Sequence, residues 1–412
     1  MYIQCNNTEL VIVNLDTINV NFDSTLLRGL KEKKCLLISS DIKRRSYFKE
    51  NLSDVKIWID LFNGDFDIRR DLVSLLNDNH TNPYECVFIT GEKRDVEFVH
   101  QKHISVVLLN NEDKDGDDRH FMPDFSVDNE NELAQLFSQD LKGYFNEIVF
   151  KDESGTGIFK LFKIKHSIFD DFEADLIFGG RFFVDTDPRR YIHPLTQAIR
   201  VFKFGNKKLN NSFSLLLSKN LNIVENNVEN IDLITAVPPK PSKENLFKPL
   251  FQESHLVDYA SKLDLDILRT NMEYKPQKSV GSFANRAINV LGKFSSRENI
   301  HGHVVLIDDI VTSGSTTLEC AKVLYENGAD KVTIICFAAQ QSHSQGKELE
   351  ELKCDCGHKY RLRFNYDKGS AFWGCSNYPT CKNTMTYNIG KVTYNELIQL
   401  DDFRNDNIFN IF

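Results

Sequence analysis

From residue 8 to about 140, short apolar runs alternate with stretches of helical character. ELVIVNLDTI, CLLISSD, CVFITGEKRDV and ISVVLLN read as strands covered on both faces. Strands alternating with helices in this way predict a doubly wound α/β sheet. A second series follows. Tyr191 to Leu209 places Leu195, Ile199 and Phe202 at helical spacing, and IDLITAVPPK, Ile231 to Lys240, is a buried strand ending in two prolines. Val304 to Ile307 is again wholly apolar, and Leu318, Ala321, Leu324 and Tyr325 then recur with helical period. Ser315 or Thr316 is the expected cap of that helix, Gly328 its end, and VTIICFAA the next strand.

The segment from Val304 to Ala329 carries candidate chemistry. Thr312-Ser313-Gly314-Ser315-Thr316 at a helix N-terminus points backbone N–H groups and hydroxyls toward an anion, and the helix dipole favours a phosphate. Asp308 and Asp309, just before the loop, would repel a phosphate and suit the hydroxyls of a sugar attached to it. A ribose 5-phosphate satisfies both halves. The segment closely resembles the signature of the type I phosphoribosyltransferases, which bind 5-phosphoribosyl 1-diphosphate (PRPP). The resemblance implies PRPP contacts at Asp308, Asp309, Val311, Thr312, Ser313, Gly314, Ser315 and Thr316, with a magnesium ion bound alongside the diphosphate. It also implies that the loop carrying Lys240 meets the pyrophosphate and that a mobile basic loop, here with Lys278 and Arg286, closes over it. Tyr191, Pro194, Leu195, Lys203, Phe204, Pro276, Gln277, Arg286, Asn289 and Phe294 further resemble the ComF-like branch, associated with DNA uptake in bacteria.

A chain of 412 residues has room for two to three cores. Its net charge of −9 argues against indiscriminate nucleic-acid binding by the whole, though not by one module. No signal-peptide pattern and no long apolar run stands in the sequence, so a soluble cytoplasmic protein is expected. Cys5, Cys35, Cys86, Cys320 and Cys336 lie in apolar or helical contexts and read as buried thiols. Cys354, Cys356, Cys375 and Cys381 form two close pairs, which suit structural zinc. Seven Lys/Arg between Lys353 and Lys391 face only Asp355 and Asp367, a formal +5 that a four-thiolate zinc site would reduce to +3. Arg361, Arg363, Tyr366, Phe372, Trp373 and Tyr378 interleave charge with rings, a pattern for single-stranded nucleic acid. The Gly369 to Cys381 phrase resembles the zinc ribbon of bacterial type I topoisomerases, with Cys-x-Cys in place of Cys-x-x-Cys in the first pair.

The strand ends of the first series resemble haloacid dehalogenase (HAD) motifs in weakened form: Asn14 and Asp16, then Ser39 or Ser40, then Gly91-Glu92 with Asp95. Asn14 stands where that family has its nucleophilic aspartate, and an amide cannot attack phosphorus as a carboxylate does. A catalytically silent domain is therefore expected, with Asp16, Glu92 and Asp95 as candidate magnesium ligands. Glu112 to Glu132, with nine acids against Lys114 and Arg119, reads as a solvated loop.

The expected organisation is a HAD-like α/β domain (1–145), a connector (146–184), a phosphoribosyltransferase domain (185–345), a small β-rich zinc ribbon (350–395) and a C-terminal tail (396–412). The expected activity is phosphoribosyl transfer from PRPP to an open acceptor, with Asp308, Asp309, Arg286 and Lys240 as the catalytic set. The alternative is a non-catalytic PRPP or nucleotide sensor that holds single-stranded DNA through the ribbon during uptake, repair or stress response.

Overall fold

The computed structural model describes residues 3–4, 8–18, 33–43, 59–61, 68–78, 81, 85–101, 104–109, 119–137, 141–150, 156–165, 172–184, 187–191, 193–240, 243–281, 283–297, 299–341, 354–358, 360–365 and 370–391. The tail 396–412, Cys5 and Tyr366 lie outside the described residues, as do the side chains of Lys278, Arg361 and Arg363.

The first series forms a six-stranded, all-parallel sheet. Its strands are β1 (Leu10–Asn14), β2 (Lys34–Ile38), β3 (Ile59–Leu61), β4 (Cys86–Thr90), β5 (Ser105–Leu109) and β6 (Phe125–Val127), in the order β3-β2-β1-β4-β5-β6. Side chains alternate across a strand, so each apolar run feeds two cores. Leu10 and Ile12 of β1 pack with Leu72 and Leu76 of α1 (Ile68–Asp78) and Val96 and Val99 of α2 (Lys93–Gln101). Val11 and Val13 pack on the other face with Leu133 and Leu136. This is the doubly wound arrangement that the alternating pattern predicts.

The second series forms a mixed sheet. The strands are β7 (Lys160–Lys165), β8 (Glu173–Phe178), β9 (Arg181–Phe183), β10 (Leu233–Ala236), β11 (His303–Val311) and β12 (Lys331–Gln341). The order is β7-β8-β12-β11-β10, with β9 pairing β12 beyond the end of β8; only the β7–β8 pair is antiparallel. The stretch 146–184, expected as a connector, thus supplies three strands of this sheet. On one face α4 (Pro194–Phe202) and α5 (Asn210–Asn227) bury Leu195, Ile199, Phe202, Phe213 and Leu217 against Val305, Ile307 and Phe337. On the other, α7 (Ser315–Glu326), beside α6 (Phe283–Val290), buries Leu318, Ala321 and Leu324 against Val304, Leu306 and Ile334.

The two sheets are tied together by a buried ionic cluster. Arg181, inaccessible to solvent, spans Asp124 just before β6 (2.6 Å) and Glu147 of α3 (Phe145–Val149; 2.9 Å). His100, in the last turn of α2, lies 2.8 Å from Asp124, and His193, the N-cap of α4, lies 3.4 Å from Glu147. Burial opposes ionisation of Glu147, yet the Arg181 guanidinium and His193 hold its carboxyl down at about 2. Burial pushes His100 down to about 4 and lowers His193 as well, favouring the neutral form of each ring.

The C-terminal module is a three-stranded antiparallel sheet of β13 (Tyr360–Asn365), β14 (Ser370–Cys375) and β15 (Thr384–Lys391) beside the four cysteines. Among the described residues no helix is long and apolar enough to cross a membrane.

Candidate functional sites

The parallel strands β9, β11 and β12 end close together, and a cavity of about 790 Å³ opens there. Open α/β sheets place ligands outside the carboxyl ends of their strands. The cavity has a hydroxyl-rich wall and an apolar wall. The first is Val311, Thr312, Ser313, Gly314, Ser315, Thr316 and Thr317; the second is Phe182, Val184, Phe204 and Ile310. Asp308, Arg200, Lys203, Gln277, Arg286 and Gln340 complete the lining.

Gly314, not Ser315 or Thr316, is the N-cap of α7, and Ser315 is its first helical residue. The reason is a tight turn: Gly314 has φ +75°, a left-handed conformation that a Cβ would strain, and that Cβ would stand 3.1 Å from Ile164. The capping hydroxyl is displaced by one residue, as Ser313 Oγ accepts from the Ser315 N–H (3.3 Å). Thr317 Oγ1 donates back to the Gly314 carbonyl (2.9 Å). Thr312 Oγ1 donates to Gln340 Oε1 at the end of β12 (2.9 Å). The loop is therefore shaped before any ligand arrives.

Asp308 lines the cavity, and its carboxylate accepts from the Asp309 backbone N–H (2.8 Å). Burial, reinforced by the charge of Asp309, pushes Asp308 up to about 7. Asp309 turns to Lys203, whose Nζ lies 3.1 Å away at the C-cap of α4. Gln277 Nε2 donates to Thr316 Oγ1 (3.2 Å) and to the Arg286 carbonyl (3.3 Å), while Asn289 reaches Gln277 Oε1 (3.5 Å). Gln277, Arg286 and Asn289, widely separated from the loop in sequence, thus assemble beside it. Lys240 does not line the cavity: its Nζ donates to the Tyr274 carbonyl (3.0 Å) and lies 4.8 Å from the Tyr274 ring centre. Periodicity and spacing gave no sign of Phe182, Val184, Arg200 or Gln340, which reach the cavity through other strands and helices.

In the N-terminal sheet the candidate acids sit at the ends of β1 and β4, where the strand order reverses. Asp16 accepts from Ser39 Oγ (3.0 Å) and from the Ser40 N–H (2.8 Å). Asp95 accepts from Thr90 Oγ1 (2.6 Å) and Asn14 Nδ2 (3.3 Å), and burial raises its pKa. Glu92 lies 3.6 Å from Arg94. Each acid has its own partners, and the three do not converge as magnesium ligands among the described residues.

The four cysteines do converge: their sulfurs lie within 4.8 Å of one another, Cys354–Cys381 at 3.6 Å and Cys356–Cys375 at 3.4 Å. Tetrahedral zinc with Zn–S near 2.3 Å needs S···S edges of about 3.8 Å, so the group fits such an ion. The short Cys-x-Cys knuckle closes because Gly357 takes φ +80° and its N–H reaches the Cys354 carbonyl (2.7 Å). Asn377 N–H and Asn383 Nδ2 point at Cys375 and Cys354 sulfurs (both 3.4 Å), as thiolates require. Trp373 is buried, whereas Phe372 is half-buried and Tyr378 exposed. Purified protein is expected to carry one zinc per chain by elemental analysis. Cys375→Ser should lower that ratio and unravel the module, because structural zinc supplies its folding free energy. Zinc-free protein with an intact module would contradict this.

No protein-family model matches this chain, and no curated protein matches it. The chain is a multidomain α/β protein with a C-terminal four-cysteine cluster able to chelate a metal.

Proposed function

We propose that the cavity at the ends of β9, β11 and β12 binds PRPP and transfers its phosphoribosyl group to an acceptor, releasing pyrophosphate. One observation carries this reading: the Asp308 carboxyl and the Thr312–Thr317 loop line the same cavity. The loop N–H groups and the α7 N-terminus take the 5-phosphate. Asp308 and Asp309 take the ribose hydroxyls. Arg286 takes the leaving diphosphate with a bidentate fork, and Lys203 and Arg200 contribute the positive charge expected of Lys240.

The C1–O bond breaks with its electron pair leaving on the diphosphate, and the acceptor bonds to C1 and sheds a proton. The transition state resembles an oxocarbenium ion, which an ionised Asp308 favours electrostatically. The oxygen donors present suit magnesium, which would neutralise diphosphate charge when bound. The N-terminal unit serves as a silent HAD-like scaffold, its Asn14 amide engaged with Asp95.

A second reading rests on the cysteine module. Exposed Tyr378 between zinc-ribbon cysteines suits stacking of a single-stranded base, so the protein would sense PRPP or a nucleotide while holding DNA. Pyrophosphate release from PRPP and magnesium, measured against nucleobases, amines and single-stranded DNA, separates the two. Release dependent on one acceptor class supports transfer and names the substrate. PRPP binding without release from any acceptor transfers the weight to sensing.

A further inference from the structure

We infer that Arg119, carried by the N-terminal unit, is a positioning residue for the anion loop of the other sheet, so that phosphate binding depends on both units. The inference rests on the reading of Thr312–Thr316 as a 5-phosphate site. Arg119 stands 194 positions before Ser313 in the chain, yet its Nη2 donates to the Ser313 carbonyl (3.4 Å). Its Nη1 lies 3.5 Å from where a Cβ on Gly314 would stand. The guanidinium is buried and does not line the cavity, so it backs the Ser313–Gly314 peptide from behind the loop.

This placement is built by the two glutamines that end β12. Gln341 Nε2 donates to the Arg119 carbonyl (2.8 Å), and Gln341 Oε1 accepts from the Met122 N–H (3.0 Å). His120 Nδ1 lies 3.1 Å from the Gln340 carbonyl, while the Gln340 side chain holds Thr312. Consecutive residues of one strand thus clamp the loop and the segment that supports it. Drawing the Ser313 carbonyl toward Arg119 fixes the Ser313–Gly314 peptide, whose Gly314 N–H points the opposite way. A buried positive charge behind it is weakly screened and adds to the field of the α7 N-terminus.

The test is calorimetric titration of the full chain with ribose 5-phosphate and, separately, with magnesium pyrophosphate, which engages the Arg286 end. Arg119→Met is expected to weaken ribose 5-phosphate about ten-fold, the scale of one hydrogen bond to a charged group, with pyrophosphate affinity unchanged. Arg119→Lys keeps the charge and loses the planar fork, so a smaller loss of about three-fold is expected. It also supplies the measurement should the methionine variant fail to fold. Either variant matching wild type toward ribose 5-phosphate, or losing both ligands equally, overturns the inference while leaving the PRPP reading standing. Wild-type protein that binds neither ligand overturns the loop reading, and this inference with it.

Discussion

Replacing Arg181 with alanine is expected to destabilise the protein by about 3–5 kcal/mol, a large part of a typical folding free energy. The guanidinium serves Asp124 through Nη1 and Glu147 through Nε and Nη2, with all three side chains inaccessible to solvent. Removing it leaves two carboxylates in the interior without the cation they share. The loss should be felt in both units, because Asp124 also accepts from the Val106 N–H (2.7 Å) of β5. It also reaches α4, whose N-cap His193 takes the Thr196 N–H on Nδ1 (3.1 Å) and presents Nε2 to Glu147.

Glu147 is held at about 2, below its unfolded value, so its contribution is complete above about pH 4.3 and is lost as pH falls toward 2. Arg181→Ala removes that contribution, and its melting temperature should fall less steeply in acid than that of wild type. A melting temperature within a degree or two of wild type at pH 7 would contradict the account.

Converting Asp308 and Asp309 together to asparagine is expected to abolish turnover on PRPP without harming the fold. Each acid lost to a sugar hydroxyl costs about 1.5–3 kcal/mol, so the pair amounts to a hundred-fold effect or more. Stability should move the other way. Asp308 is raised to about 7, against about 3.9 in the unfolded chain. Between those values the folded protein binds a proton that the unfolded chain has released, so folding weakens as pH rises through this window. Above it, wild type carries the full cost of a confined charge. The single variant Asp308→Asn should therefore melt higher than wild type at pH 8 and near it at pH 4, while losing activity. A lower melting temperature at pH 8 would count against the burial argument.

Much of the architecture was legible in the chain because apolar runs such as Val304–Ile307 and Leu10–Val13 need cover on both faces. The loop at Thr312–Thr316 and the four cysteines were legible because their residue types sit close together in sequence. β7 and β8 were not, since KLFKIK and EADLIF mix charge with apolar residues; β7 is an antiparallel edge strand. Arg181 and Arg119 were also hidden, Arg119 within the stretch read as a solvated loop, where it and Asp124 are buried. Each lies in a segment without periodic signal, and each acquires its role only when the two sheets meet. Lys240 was misplaced for a related reason: its Nζ meets the Tyr274 carbonyl, and the Tyr274 ring packs on Phe294, contacts that spacing does not show. Within the ring pattern of the cysteine module, spacing alone does not separate buried Trp373 from exposed Tyr378.

The central claim is that the cavity beside Asp308 takes a phosphorylated pentose diphosphate. Equilibrium titration of PRPP with magnesium into wild-type protein and the Asp308→Asn/Asp309→Asn variant tests it directly. The account predicts saturable one-site binding to wild type and at least a hundred-fold weaker binding to the variant, whose fold and zinc content are unchanged. No binding to wild type, or equal binding to both proteins, would contradict it.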